Sequence, residues 1–130
     1  MKIIEGDLIM TEDMTFDDDL KVNGNIYGKD GIKYDLNCGN LNCLNLNCEN
    51  LTCLDLNCEN LNCWDLNCWD LTCFDLTCRD LNCGNLNCWD LTFYAVAIAY
   101  KSFKCKTWKA RRQNYIIKCL DGEIKGEQKK

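Results

Sequence analysis

LNCWDLNCWDLTCFDLTCRD, residues Leu61–Asp80, is four consecutive copies of the unit Leu-[Asn/Thr]-Cys-x-[Asp/Asn]. Followed in both directions, the unit runs without a break over residues 36–92. Its leucines are Leu36, Leu41, Leu46, Leu51, Leu56, Leu61, Leu66, Leu71, Leu76, Leu81, Leu86 and Leu91. Its cysteines, each two positions on, are Cys38, Cys43, Cys48, Cys53, Cys58, Cys63, Cys68, Cys73, Cys78, Cys83 and Cys88. Leu91-Thr92-Phe93 begins a further copy with Phe93 in the cysteine slot. A fixed short period marks a stacked coil, because no single copy can bury its own apolar side chains.

A five-residue period fits neither a helix face nor plain strand alternation. A helix would scatter leucine and cysteine around its circumference and place a disfavoured Asn or Asp in nearly every turn. An extended wall followed by a corner resolves the conflict. Leucine and cysteine, two apart, then point to one side. The x position holds Gly, Leu, Glu, Trp, Phe and Arg, a mixture no narrow interior accepts, so x points out and leucine and cysteine point in. Asp and Asn at the corners bond to nearby backbone and tolerate turns. The chain has no proline, so every backbone N–H can join the ladder between coils. A square coil of four such walls, about twenty residues per turn, is the expected architecture. On that assumption Thr52, Thr72 and Thr92 share a column, Glu59 meets Arg79, and Trp69 lies beneath Trp89 on one wall with Glu49 below them.

The tandem unit over 36–92, with leucine and a small residue inward and Asp/Asn at a fixed slot, resembles the pentapeptide-repeat proteins, and with its flanks it is similar to small bacterial and phage members of that family. The resemblance implies an all-β fold, a right-handed quadrilateral β-helix. The family unit places its small residue two before leucine; here leucine comes two before cysteine, so the inward positions are exchanged. Some members bind type II topoisomerases as acidic mimics of duplex DNA, which the resemblance offers as an alternative function.

The flanks keep the inward–outward–inward step less regularly. Residues 1–34 read as degenerate coils and a cap, with Asp17-Asp18-Asp19 at a corner; 35–92 as the regular repeat; 93–124 as irregular coils and a basic cap; 125–130 as a charged, frayed tail. Leu91/Phe93, Val96/Ile98, Phe103/Cys105 and Trp108/Ala110 are the expected inward pairs, with extra residues bulging near Ala99–Ser102. All of this makes one domain of 130 residues.

Composition narrows the chemistry. There is no histidine, which removes Ser-His and Cys-His catalysis and imidazole ligation. No phosphate-cradling glycine motif is present. The reading is a non-enzyme without cofactor, metal or small-molecule substrate. Thirteen cysteines would suggest disulfides in a secreted chain, but residues 1–20 are too acidic for a signal peptide and the spacing serves packing. The cysteines are expected to be reduced, buried and apolar in behaviour, in a cytoplasmic protein with no membrane span.

Net charge is −5, unevenly placed: −4 over residues 1–34, −8 over 35–92 and +7 over 93–130. Two surfaces are candidates for partners. Exposed aromatics at Trp64, Trp69, Phe74 and Trp89 suggest a protein contact or homodimer. The outward cations Lys104, Lys106, Lys109, Arg111 and Arg112 suggest an anion site, although the acidic remainder disfavours nucleic acid. The expected function is a structural or protein-binding repeat module, associating with itself through the aromatics or its ends.

Overall fold

The computed structural model describes residues 1–129; Lys130 lies outside the described residues. Among the described residues the chain is an all-β solenoid without an α-helix. Its strands are β1 (Lys2–Glu5), β2 (Leu8–Met10), β3 (Met14–Thr15), β4 (Leu20–Asn23), β5 (Ile26–Gly28), β6 (Leu36–Asn37), β7 (Leu41–Asn42), β8 (Asn45–Asn47), β9 (Asn50–Thr52), β10 (Asp55–Asn57), β11 (Asn60–Asn62), β12 (Asp65–Ala110), β13 (Ile116–Cys119) and β14 (Ile124–Gln128). The long β12 is several walls in succession, extended through their corners. Every pairing between strands is parallel.

Leucine and cysteine fill the interior as expected. Every repeat leucine, every repeat cysteine and Phe93 is buried, and no polar or charged side chain shares their space. The coil closes on three walls, however, not four. Leu56 pairs with Leu41 and Leu71, Leu61 with Leu46 and Leu76, and Leu51 with Leu36 and Leu66. Each offset is fifteen residues, three copies of the unit. The twenty-residue square therefore gives way to a triangle through the repeat. A triangle encloses less area per wall than a square of the same side. One leucine and one cysteine per wall fill the interior, all of them buried.

We number the walls by their first repeat leucine: Leu36, Leu51 and Leu66 on the first, Leu41, Leu56 and Leu71 on the second, Leu46, Leu61 and Leu76 on the third. Corner carboxylates and amides stitch the turns together at the same spacing. The Asn60 amide donates to the Asn45 side-chain oxygen at 2.9 Å, the Asn85 amide donates to Asp70 at 2.6 Å, and the Asn40 side chain accepts from the Asp55 backbone at 3.2 Å. These residues were recruited for their turn chemistry, and the stacking gives them a second partner.

The ends are wider. In the first coils the pairing offset grows to 18 for Lys2 with Leu20 and 22 for Met14 with Leu36. The additional residues form corner loops; the largest holds the 3-10 turn Lys29–Gly31, where Asp30 and Gly31 both take positive φ. Near the other end, Ser102 bonds Asn85 and Thr107 bonds Asp90, offsets of 17 that absorb the two residues bulged after Ala99. Here one expectation is corrected. Ala97 and Ala99 are the buried pair, and Val96 and Ile98 lie half-buried on the outer side. The bulky Phe93 already fills the lumen beside them, so the small alanines take the inward positions. Phe103 and Cys105 are buried as expected. Residues 125–128, read as part of a frayed tail, instead belong to β14, which pairs with Phe103–Lys104 and Thr107–Trp108, and the Lys129 N–H donates to the Trp108 carbonyl at 2.7 Å.

Candidate functional site

The three corners carry everything chemically distinctive about the exterior. Each x residue sits above the one fifteen positions earlier, its N–H bonded to that residue's carbonyl, as in Trp69 to Leu54, Phe74 to Glu59, and Arg79 to Trp64. The first corner stacks Gly39, Leu54, Trp69 and Gly84. The second stacks Leu44, Glu59, Phe74 and Trp89. The third stacks Glu49, Trp64, Arg79 and Tyr94.

The four candidate aromatics are exposed, between 43% for Trp64 and 59% for Phe74. They do not form one wall. Trp69 stands on the first corner, Phe74 and Trp89 on the second, and Trp64 on the third, because three walls per turn separate residues twenty apart by one corner. Trp69 therefore does not lie beneath Trp89, Glu49 lies below Trp64 alone, and Glu59 does not meet Arg79. Only Phe74 and Trp89 come together, edge to face with centroids 6.3 Å apart. Trp69 leans over Gly84, where a Cβ would come within 2.9 Å of the indole; glycine is the residue that lets the ring lie flat.

The three tryptophans each also receive a cation from a later coil. Lys106 Nζ stands 4.4 Å from the Trp89 ring centre and Lys101 Nζ 5.5 Å from Trp69. Arg79 lies between Trp64 at 5.0 Å and Tyr94 at 5.7 Å. The proposed anion set is thus divided. Lys106 is committed to the second corner. Lys104 faces out from the second wall, in register with Lys125 of the next coil. Arg111 and Arg112 close the third corner, their N–H groups bonded to the Phe93 and Tyr94 carbonyls. Lys109 is exposed on the wall leading to that corner. Sequence reasoning missed Arg79, Tyr94 and Lys33 as neighbours. Their signal was complementarity at fifteen residues, an aromatic opposite an arginine and an indole opposite a glycine, where likeness at twenty was sought.

The interior holds the other reactive groups. All thirteen cysteines are free thiols, twelve of them buried and Cys119 half-buried. They stack in columns, so that Cys43, Cys58, Cys73, Cys88 and Cys105 follow one another sulfur to sulfur. Burial pushes Cys38 and Cys83 up to about 12, and Cys78 higher still. Cys73, between two thiols, is held up by both, while Cys58 and Cys88 accept from their neighbours and are drawn down. Among the described residues, no cluster of three or more Cys, Asp or Glu side chains is arranged to hold a metal ion. Among the described residues, no helix is long and apolar enough to cross a membrane.

At the two ends the half-buried apolar residues collect. Ile4, Leu8, Met14 and Phe16 lie at one, Trp108, Tyr115, Ile117 and Ile124 at the other. Phe93, Trp108 and Tyr115 pack ring against ring with centroids 5.8–6.2 Å apart. The end strands are paired on one side only. β1 meets only β4, β2 only β5 and β3 only β6; β13 and β14 meet only β12. The Met1 ammonium is ion-paired with Asp18, which lowers that carboxyl. No family model, curated protein or solved structure matches the chain.

Proposed function

We propose that the chain is a non-catalytic scaffold of pentapeptide-repeat type that assembles with further copies of itself, end to end. The observation that carries this reading is the pair of open ends. Each offers three wall edges with unpaired backbone groups, and each leaves apolar lumen residues half in water; natural solenoids cover such ends with a cap. Among the described residues neither end is covered by a helix.

The ends are also opposite in charge. Residues 1–19 hold seven acids against one lysine, and residues 101–129 hold nine cations against three acids. Stacking the basic end of one copy on the acidic end of the next would continue every wall, bury the end residues and neutralise both charges. The same operation repeats without closing, so it yields a filament and not a ring or dimer. The family likeness supports the reading through the five-residue wall alone.

Sedimentation velocity tests it. At ~0.01 M salt, where charges act over ~30 Å, species larger than a dimer are expected and should grow with protein concentration; at about 1 M salt, with a range of ~3 Å, they should fall back toward monomer. Lys118→Glu with Lys125→Glu should shift the low-salt distribution to monomer. Trp69→Ser with Trp89→Ser should leave it unchanged, since those rings lie on the corners. A parent chain that stays monomeric at every concentration in low salt overturns the proposal. Loss of assembly in the tryptophan variant alone would transfer the interface to the corners.

A further inference from the structure

The third corner contains a groove that the assembly reading does not use. It is lined by Trp64, Arg79, Tyr94, Lys33 and Arg111, with Asn62 and Thr77 on its floor, and encloses about 670 Å³, within the ~300–1,000 Å³ of small-ligand sites. From the juxtaposition of three cations with two part-exposed aromatic rings, we infer that this groove binds a small phosphorylated planar molecule of the mononucleotide class.

The geometry assigns each part of such a ligand. The Arg79 guanidinium carbon lies 5.0 Å from the Trp64 ring centre and 5.7 Å from that of Tyr94. The planar fork of a guanidinium matches two phosphate oxygens. Among the described residues, Arg79 makes no ion pair with a carboxylate, and neither do Lys33 and Arg111. These cations supply positive charge from either side of the fork. Trp64 is 43% exposed and Tyr94 44%, enough ring surface for a heterocycle to stack beside the anchored phosphate. Asn62 and Thr77 add neutral hydrogen-bonding groups.

The surrounding charges set the ligand's size. Trp64 and Tyr94 are two coils apart, ~10 Å at ~4.8 Å per coil. Glu49 lies directly below Trp64, and Asp65 and Asp80 follow Trp64 and Arg79 along the chain. A phosphate chain leaving the groove downward would meet these carboxylates. One or two phosphates fit; a continuing polynucleotide backbone is repelled. The groove is therefore a monomer site within an acidic protein.

Isothermal titration with adenosine monophosphate, adenosine and inorganic phosphate tests the assignment. The monophosphate should bind with a Kd below ~1 mM, and adenosine and phosphate alone at least about tenfold more weakly, because each keeps half of the contacts. Arg79→Gln and, separately, Arg111→Gln should each weaken the monophosphate by about tenfold or more. Trp69→Ser, on another corner, should leave it unchanged. Circular dichroism of each variant would establish that the solenoid is intact, and Arg111→Gln, at the outer rim, keeps the test valid if Arg79→Gln does not fold. No binding of the monophosphate at millimolar concentration, or equal binding by the parent and both arginine variants, overturns the site. Phosphate binding as tightly as the monophosphate overturns the role of the rings.

Discussion

Replacing Leu61 with aspartate should abolish cooperative folding, and Leu61→Ala should lower stability by about 2–5 kcal/mol. Leu61 is 2% exposed and stacks between Leu46 below and Leu76 above on the third wall. The leucines beside it are fixed by their own coils, so they cannot close over the hole, and the full cavity cost is retained. A carboxylate there would lose its hydration with no cation and only weak S–H donors to receive it, since among the described residues no polar or charged side chain is buried. Against the ~5–15 kcal/mol that holds a typical domain together, that loss is decisive. In a solenoid it is also strategic, because the middle coils join the two halves only through their neighbours. Asn62→Ala, one residue on and facing out, should change stability by no more than ~0.5 kcal/mol. Urea unfolding followed by circular dichroism reads all three. An alanine variant within ~1 kcal/mol of the parent would mean that the lumen is not packed.

The contrast between positions 61 and 62 is the part of the fold that was legible in the sequence. Inward and outward positions follow from residue type alone, since cysteine and leucine never vary at their slots while x takes anything from glycine to tryptophan. The number of walls was not legible in the same way. Any whole number of five-residue walls leaves the inward pattern unchanged, so a triangle and a square read identically along a single copy. What separates them lies between coils. Trp69 over Gly84, Trp64 against Arg79 and Asn60 bonded to Asn45 all recur at fifteen residues. The threonine column sought at twenty has no physical driver, because threonine and asparagine are equally content on the outer face. At the irregular flanks the same limit applied to single residues. Val96 and Ile98 looked inward by hydropathy, but the space beside Phe93 admitted only Ala97 and Ala99. The site suffered most: the rings of the candidate surface were correctly found to be exposed, yet grouping them required the coil size. Divided among three corners, they make three separate aromatic–cation stacks, and the third sets Arg79, Lys33 and Arg111 beside two rings in one groove.

Stability should fall steeply once the pH passes about 9, and the thiols set the direction. Cys38, Cys78 and Cys83 owe their raised values chiefly to burial, which penalises the thiolate; for Cys38 and Cys83 the folded value is about 12 against an unfolded value of 9.0. Below pH 9 each is protonated in both states and its contribution is fully present. Between the two values the unfolded chain releases the proton while the folded chain keeps it, so the unfolded state is favoured by about 1.4 kcal/mol per pH unit for each such thiol. Urea midpoints should therefore drop through pH 9–10.5. Cys83→Ala should make that drop shallower by one proton, whatever it does to stability at neutral pH. The same burial protects the sulfurs kinetically. A water-soluble alkylating reagent at pH 8 should label Cys119, the half-buried thiol, well ahead of the twelve inside. The inner twelve should react only at the rate of unfolding. Prompt labelling of most sulfurs in the native state, or a midpoint that holds steady to pH 10.5, would be incompatible with a sealed column of thiols.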